Sequence, residues 1–390
     1  MIVERDETSS QVAGPLRVLL AFNTPVLKHG SFEDYMIEMG REICLHGGTV
    51  TYVFPRIRTE RIHKKLKEIG KVYIISNTWP GLKFITGMRK IVAVEKPNLI
   101  NVHFCKKLGY LPLYLWLRAR GTAIVFHYHG ETRPLSEVGW IRRNISELRC
   151  ATFPVNRVVT VSKSNALFLQ CTRIRPPIKV IYNGIDLQRF SPSTIEDKQA
   201  DVSRLFPFVR YIVYIGTMLA RKRIDFLINA FAQVCEKVDD VGLIIVGGGE
   251  GEVRYKEIVE QMSLRERVVF KGLLPEYPYE LLKNAALLVS ASKQESFGLV
   301  FAEASALGVP VVACRVGGIP EVVMDGKTGF LAEPDDLDDF VEKIIELLTN
   351  EDRRRQFSAN ARQWVAERFD LTPKVVETVK TFRETLSLPT

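Results

Sequence analysis

Short apolar segments rich in β-branched and aromatic residues alternate along this chain with stretches of helical pattern, which restricts its fold more than any other feature. The first half contains the segments LRVLLAF, TVTYVF, KVYIISN, NLINVHF, TAIVFHYHG, RVVTVS and KVIYNGI. After a polar stretch over residues 191–203, the pattern restarts with YIVYIGT, GLIIVGGG, VVFKG, LLVSAS and PVVACRV. Strands that alternate with helices form parallel sheets covered by helices. The pattern therefore predicts an α/β protein with two doubly wound domains.

The polar stretch marks the predicted boundary between the domains, and a length of 390 residues is sufficient for two separate cores. We expect a first domain over residues 1–188, a second over residues 189–368 and a final helix over residues 369–390. Ligands of doubly wound sheets bind at the carboxyl ends of the strands. We therefore expect the functional site in the cleft between the domains.

Composition indicates an ordinary globular protein, with 46% hydrophobic and 25% charged residues. Its six cysteines lie far apart and form no CxxC or Cys/His cluster, so we expect reduced, mostly buried thiols and no zinc site. The first residues are polar and acidic, unlike a signal peptide, and no apolar run reaches membrane-spanning length. We expect a cytoplasmic protein, or one bound peripherally to the inner face of a membrane.

Charge is divided unevenly between the two halves of the chain. Residues 1–190 contain 29 Lys and Arg against 14 Asp and Glu, a net charge of +15, whereas the remainder has a net charge of −6. The densest basic run, residues 56–71, is either a solvated helix face or a surface for an anionic partner. No nucleic-acid-binding motif accompanies it. We therefore expect an anionic membrane surface or a phosphorylated acceptor, and no nucleic acid, as the partner.

Two glutamates flank the turn that follows the predicted strand LLVSAS. Glu295 falls in the turn itself, and Glu303 lies about one turn into the next helix. Two acidic residues at a helix start can simply complement its dipole. However, the free N–H groups around Gly298 form an anion site suited to a diphosphate. The two carboxylates can accept hydrogen bonds from hydroxyls of a sugar and of a ribose, so the segment suits a nucleotide sugar.

The segment over residues 295–321, which ends in GGIPE, resembles the donor-site signature of glycosyltransferase family 4. Further matches to that family follow the family's order: His129 with Gly130, residues 157–162, residues 180–186, and Gly216 with Lys222. The resemblance implies two facing Rossmann-like domains, the GT-B architecture, with the last helix crossing back onto the first domain. It also implies a retaining transferase that moves a hexose-type sugar from a nucleotide diphosphate, UDP before GDP, to a glycan, lipid-linked or other small acceptor.

The same resemblance assigns roles within the site. Glu303 is expected to bind the ribose, Glu295 the transferred sugar, and Lys222 the diphosphate, without a metal or other cofactor. His129 is expected to hydrogen-bond a hydroxyl of the donor sugar across the cleft, and it forms the predicted catalytic group with Lys222 and Glu295. The other predicted donor-binding positions are Gly30, Gly216, Thr217, Gly272, Phe297, Gly298, Leu299 and Val300.

Two positions near Lys222 depart from the family pattern. Thr217 stands where an arginine usually follows the glycine, and Arg223 replaces a customary glycine. Arg221 or Arg223 is therefore expected to supply the missing positive charge.

The predicted first helix and the histidines carry smaller expectations. Ser31 replaces the second of two customary glycines, and with Asp34 it could instead cap the helix. Strand alternation is taken to place His127 on the face opposite to His129. His103, within another predicted strand, is expected to have a structural role.

Three further segments have ordinary structural explanations. The run GGGEGE over residues 247–252 has a glutamate at the last glycine position of a dinucleotide fingerprint, so it predicts a tight turn. The acidic run over residues 335–339 predicts a helix start rather than a metal site. Residues 106–120 predict a buried crossover helix rather than a helix in a bilayer interface.

Two other functions remain open on the sequence alone. One is a nucleotide-sugar epimerase with the same two-domain architecture. The other is a sugar-nucleotide-binding protein without catalytic activity.

Overall fold

The computed structural model describes residues 14–26, 29–76, 82–104, 108–130, 154–172, 174–191, 210–274 and 276–387. These residues form two parallel sheets with helices packed against them, which confirms the predicted α/β fold. The predicted linker falls mostly outside the described residues, and the exact domain boundaries stay predictions.

Among the described residues, the first sheet has seven parallel strands in the order β3-β2-β1-β4-β5-β6-β7. They are β1 Arg17–Phe22, β2 Thr49–Phe54, β3 Lys71–Ile74, β4 Leu99–His103, β5 Ala123–Tyr128, β6 Arg157–Thr160 and β7 Ile178–Val180. Its helices are α1 Ser31–Leu45, α2 Glu60–Ile69, α3 Leu82–Glu95, α4 Leu111–Ala119 and α5 Lys163–Cys171. The strand order reverses between β1 and β4, which opens a crevice at their carboxyl ends.

The second sheet, over the described part of the chain, has six parallel strands in the order β10-β9-β8-β11-β12-β13. They are β8 Arg210–Ile215, β9 Val241–Val246, β10 Val268–Gly272, β11 Leu287–Ser290, β12 Val311–Cys314 and β13 Gly329–Ala332. Its helices are α6 Ile224–Cys235, α7 Glu252–Gln261, α8 Tyr279–Lys283, α9 Leu299–Ala306, α10 Ile319–Val322, α11 Leu337–Thr349 and α12 Glu351–Arg368. The order reverses between β8 and β11. Strand β13, with the sequence GFLA, was not predicted, because it contains no β-branched residue.

The last helix, α13 Leu371–Leu386, crosses back onto the first domain as the resemblance implied. Its apolar residues Val375, Val379 and Phe382 are buried in the core that α1 and the first sheet share. The hydroxyl of Tyr35 on α1 also donates a hydrogen bond to Thr378 Oγ1 at 3.1 Å. Helices α1 and α13, the first and last helices of the described residues, therefore pack in the same domain.

The structure settles the three segments with structural explanations. Helix α4 buries Leu113, Tyr114 and Leu117 against the first sheet, so the part of residues 106–120 that is described forms a crossover helix. Asp336 caps α11 by accepting a hydrogen bond from Asp339 N at 3.0 Å. Helix α7 begins at Glu252, directly after the glycine-rich turn. All three structural predictions are confirmed.

The basic run forms an amphipathic helix. Helix α2 buries Ile62 and Leu66, while Arg61, Lys64 and Lys67 are exposed. Among the described residues, none of the helices combines the length and apolar character that a membrane span requires. The basic side chains of α2 therefore remain available on the surface of the first domain.

Candidate functional site

The second sheet brings a cation and a carboxylate together where its strand order reverses. Lys222 lies in a short 3₁₀ turn after β8, and Glu295 lies in the turn after β11. Strands β8 and β11 pair directly, so the two turns meet although they are distant in sequence. Lys222 Nζ lies 2.6 Å from Glu295 Oε2, and the side chains are only 13% and 17% exposed. The contact is a charge-assisted hydrogen bond sheltered from water.

Arg223 stands at the position of a customary glycine and has the backbone conformation that glycine prefers. Its backbone takes the left-handed conformation, with φ 52°, in which glycine is customary. The guanidinium lies 4.1 Å from the centroid of the Phe226 ring, and Nη2 lies 2.8 Å from Asp335 Oδ1. Arg223 is therefore committed to Asp335. Arg221 stays the predicted source of the missing charge beside Lys222.

Helix α9 begins at the site because Gly298 permits a sharp turn. Gly298 has a φ of +85°, and a β-carbon there would lie 2.3 Å from the ring of Phe301. The first N–H groups of a helix, here those of Leu299 and Val300, have no partner within the helix. Phe297 is buried against Phe369, so it can contact a ligand only through its backbone. The start of α9 thus offers backbone donors beside Lys222.

Glu303 is almost fully buried in α9, with 4% exposure, yet it lies at the domain interface. Its Oε1 accepts a hydrogen bond of 2.6 Å from Ser31 Oγ of the first domain, and its Oε2 accepts one from the hydroxyl of Tyr277. Burial, together with the charge of Glu303, raises the pKa of Tyr277 well above its usual value. Glu303 thus already accepts hydrogen bonds from two hydroxyls, the chemistry that a ribose diol offers.

The start of α1 differs from the predicted cap. Gly30 precedes the helix, and its N–H donates a hydrogen bond to Glu33 Oε2 at 2.9 Å. Ser31 is turned to Glu303 instead, and Asp34 forms an ion pair with Arg189. The prediction that Ser31 and Asp34 cap the helix is therefore wrong, because both side chains find stronger partners outside it. Asp34 also lies 2.5 Å from His29 Nε2. Glu303 and Arg189 are distant in sequence, so no local pattern could reveal these two contacts.

Three histidines stack at the carboxyl ends of β4 and β5. The rings of His127 and His129 lie 4.7 Å apart at 8°, and His103 stacks on His127 at 4.7 Å. The prediction that His127 and His129 face opposite sides is wrong, because residues two positions apart on a strand share a face. His103, expected to be structural, lies 2.9 Å from His129 through its Nδ1. Burial lowers the pKa of His129 to about 3 and the pKa values of the other two far below their usual value.

The ligand nitrogens of these histidines lie within 4.8 Å of one another, a spacing that could hold a metal ion. Zinc binds imidazole nitrogens at about 2.0–2.1 Å, so the rings would have to converge. Both nitrogens of His103 already have hydrogen-bond partners. These histidines therefore favour a hydrogen-bonded cluster, and the expectation that no metal is required stays a prediction.

Hydrogen bonds join the two domains around the site. Ser296 Oγ lies 2.5 Å from Gly130 O and 3.1 Å from His129 O. The carboxylate of Glu321, in the GGIPE segment, accepts hydrogen bonds at 2.8 and 2.9 Å from the first two N–H groups of α5. Gly318 is needed in that segment, because a β-carbon would lie 2.2 Å from Ser296 O. These contacts hold His129 beside the turn that carries Glu295.

The remaining predicted positions are spread along the edge of the cleft. Gly216 follows β8 and donates a hydrogen bond to Val246 O at 3.0 Å. Thr217 is exposed, and its carbonyl accepts a hydrogen bond from Tyr214. Gly272 ends the edge strand β10, two strands away from β8. Thus the structure brings Lys222, Glu295, Glu303 and His129 to one cleft, whereas Gly272 lies at its outer edge.

Ser31, Tyr277, Ser296 and Asn101 take part in the site's hydrogen bonds but were not predicted to. Each of them acts through a residue that is distant in sequence or through a backbone atom. Ser296 and Ser31 stand within or beside family motifs, but nothing in a single sequence indicates which distant group each side chain contacts.

Comparisons with known proteins agree with this fold. Residues 196–364 match the family model described as glycosyl transferases group 1, and residues 33–189 match the one described as Glycosyltransferase Family 4. The crystal structure of Anabaena Alr3699/HepE in complex with UDP and glucose has a TM-score of 0.74 at 22% identity and covers 95% of this chain and 100% of that one. The chain is thus a glycosyltransferase of the family 4 type, with the GT-B fold.

Two relatives in sequence lead to the same class. The N-acetyl-alpha-D-glucosaminyl L-malate synthase of Bacillus anthracis is 33% identical over 49% of this chain and 50% of its own, so the match spans about half the length of that relative. A GDP-mannose-dependent alpha-(1-6)-phosphatidylinositol monomannoside mannosyltransferase of Mycobacterium tuberculosis is 29% identical over 90% of this chain and 93% of its own. Neither an epimerase nor a non-catalytic binding protein is favoured by these names.

Proposed function

We propose that this protein transfers a hexose-type sugar from a nucleotide diphosphate sugar to an acceptor, with retention at the anomeric carbon. The observation that carries the proposal is the Lys222–Glu295 pair at the point where the second sheet reverses, next to the start of α9. A cation and free amides suit the diphosphate, and carboxylates suit hydroxyls. The relatives' names include both GDP-mannose and, for the structural neighbour, UDP with glucose. We keep UDP as the first candidate and GDP as the second.

Lys222 has the central role in the proposed reaction. Negative charge grows on the diphosphate as its bond to the sugar breaks, and a fixed ammonium stabilises that charge. Glu295 holds the ammonium in place with one oxygen. Its other oxygen lies 3.1 Å from Ser296 N and can accept a hydrogen bond from the sugar. In this proposal, Lys222 and the amides of α9 neutralise the leaving group without a metal.

The positions of the two carboxylates favour a front-face displacement. Glu295 is paired with Lys222, and Glu303 is held between Ser31 and Tyr277, so neither is placed to attack the sugar as a nucleophile. In the proposed step the bond between the anomeric carbon and the phosphate oxygen breaks, and the acceptor oxygen bonds on the same face. The departing phosphate oxygen takes the acceptor's proton. The protein then acts mainly by holding the two reactants and stabilising the leaving group.

The acceptor is proposed to bind the first domain. This half of the chain has a net charge of +15, and α2 presents exposed basic side chains. Such a surface suits a lipid-linked or phosphorylated acceptor at an anionic membrane. We propose a cytoplasmic protein that meets the inner face of the membrane peripherally.

A donor screen tests the proposal directly. UDP-glucose, UDP-N-acetylglucosamine and GDP-mannose are each added to the protein, and thermal stabilisation and release of nucleoside diphosphate are measured with and without EDTA. We expect one donor to stabilise the protein, because stabilisation grows with ligand concentration relative to Kd. Product NMR then reads the anomeric configuration. Epimerised sugar without transfer would support an epimerase, and binding without turnover would support a non-catalytic protein.

A further inference from the structure

A line of hydrogen bonds runs from the backbone of the first sheet to His129. Asn101 Nδ2 donates to the carbonyl of Val125 at 3.2 Å, within the pairing of β4 and β5. Asn101 Oδ1 lies 2.5 Å from His103 Nε2. His103 Nδ1 lies 2.9 Å from His129 Nε2. The line thus connects a backbone carbonyl, which can only accept hydrogen bonds, to His129, the ring to which the family resemblance assigns a hydroxyl of the donor sugar.

The direction of every hydrogen bond in this line follows from its first member. A backbone carbonyl only accepts, so the amide nitrogen of Asn101 must face Val125. Its amide oxygen then faces His103 and also only accepts, so the hydrogen of His103 must be on Nε2.

Because both rings are neutral, the donor and acceptor roles fixed at Asn101 also determine those of His103 and His129. Burial keeps His103 uncharged, so with its hydrogen on Nε2 it has a bare Nδ1 that accepts from His129. The hydrogen of His129 is therefore on Nε2. His129 is also neutral, because burial lowers its pKa to about 3. Its Nδ1 is then a lone-pair acceptor, and it has no hydrogen-bond partner among the residues described.

We propose that Asn101 and His103 are positioning residues that hold His129 in the Nε2–H tautomer, so that Nδ1 accepts a hydrogen bond from a hydroxyl of the donor sugar. This inference rests on the proposed function. The opposite tautomer would present an N–H to the sugar and would leave two acceptors facing each other at His103. His127, stacked on both rings, holds their planes but is not a member of the line.

The tautomer can be observed without any activity. Nitrogen NMR of protein labelled with ¹⁵N-histidine distinguishes Nδ1 from Nε2 protonation, and single histidine replacements assign the signals. We expect the Nε2–H form for both His103 and His129 at neutral pH. Asn101→Leu, which removes the acceptor but keeps the volume, should leave His129 as a mixture of both forms. A charged His129 or an Nδ1–H form in the unaltered protein would overturn the proposal.

Two amide substitutions at position 103 form a matched pair. The oxygen of an asparagine can take the place of imidazole Nδ1, whereas the amide of a glutamine takes the place of Nε2. His103→Asn therefore keeps an acceptor for His129, and His103→Gln keeps only the bond to Asn101. We expect His103→Gln to lower kcat for release of UDP from UDP-glucose by about tenfold, or of GDP from GDP-mannose if the screen selects that donor. His103→Asn should retain activity within about threefold, and the affinity for UDP or GDP alone should not change in either variant.

A merely structural role predicts another result. Glutamine is closer to histidine in volume, so a packing effect would make His103→Asn the more damaged variant, or would damage both equally. Either outcome contradicts the proposal. If the unaltered protein releases no nucleoside diphosphate from any donor in the screen, the proposed function fails, whereas the NMR measurement still decides the tautomer.

Discussion

The two sheets of this protein share one topology, yet the faces that they turn to the cleft differ in charge. The second sheet ends in an ion pair, Lys222 with Glu295, and a buried carboxylate, Glu303. The first sheet ends in three imidazoles that burial keeps neutral. The reversal of strand order fixes where a ligand can bind on each sheet. The side chains at that point, and not the fold, then determine which part of the ligand each domain can hold.

The difference in charge between the two sheets matches the two parts of a nucleotide sugar, the diphosphate and the sugar. A diphosphate requires positive charge, and that charge grows in importance as the bond to the sugar breaks. An imidazole can accept a hydrogen bond from a sugar hydroxyl only while it stays neutral, because a charged imidazole could only donate. The proposed division of labour therefore assigns the phosphates to the second domain and the sugar hydroxyls to the cleft between both.

Among the predicted changes, loss of Lys222 should lower kcat the most. Lys222→Ala removes the cation that stabilises the leaving group, and we expect kcat to fall by about 100- to 1,000-fold. The measurement is release of nucleoside diphosphate from the donor that the screen selects. Lys237→Ala, which changes an exposed lysine of the same domain, serves as the control and should have no effect. Activity should also survive EDTA. If EDTA abolishes it and magnesium or manganese restores it, a metal neutralises the diphosphate.

The two glutamates should separate binding from turnover. Glu303→Ala should weaken binding of UDP by about 1–3 kcal/mol, because hydroxyls lose their acceptor, as calorimetry can measure. Glu295→Ala should lower turnover more than it lowers UDP affinity. Ser31→Ala is the control for Glu303, because it removes the contact between domains but leaves the carboxylate for the ribose. An affinity for UDP unchanged in Glu303→Ala would remove this assignment, and the reverse pattern would exchange the two roles.

The neutral histidines should make stability depend on pH. The pKa of His127 is far below its ordinary value of 6.5 because of burial, so unfolding below pH 6.5 takes up a proton. Its contribution is complete above that pH and is lost as the pH falls. Between pH 7.5 and 5.5 the loss for one such imidazole is about 1.4 kcal/mol. Urea unfolding at both values should show that His127→Leu loses about this much less than the unaltered protein. An identical pH dependence in both would mean that the pKa of His127 is not lowered in the folded state.

Neutralising basic residues on the surface of the first domain should have the smallest effect per residue, a weaker binding to anionic vesicles. Basic side chains near an anionic leaflet contribute about 1 kcal/mol each. Changing Lys64, Lys65 and Lys67 together to Gln should reduce co-sedimentation with anionic vesicles and leave nucleotide binding intact. The matched control changes three charges of the second half, Lys237, Lys256 and Arg265. Binding should weaken with salt, because the Debye length falls from about 10 Å at 0.1 M to about 3 Å at 1 M. Equal sedimentation with neutral vesicles would favour an acceptor in solution.

Local patterns predicted the elements of this fold, but not every detail of them. The alternation of strands and helices predicted both sheets except for β13, whose sequence GFLA contains no β-branched residue. Arg223 shows the limit of motif comparison, because its left-handed backbone fits the position of the customary glycine while its side chain binds Asp335. His127 and His129 show a different kind of limit. Residues two positions apart on a strand share a face, so the sequence was sufficient to place both rings on one side. The prediction of opposite faces applied this alternation incorrectly.

The sequence by itself determined the two parallel sheets, the turns at their carboxyl ends and the residue types at those turns. These features depend on periodicity, turn residues and short motifs, which act between neighbours in the chain. Only the tertiary structure decided that Ser31 reaches Glu303, that Ser296 lies beside His129, and that His103 reaches His129. Such contacts depend on how strands pair and how the domains meet. A hydrogen bond acts over about 3 Å and in one direction, so no local pattern encodes it.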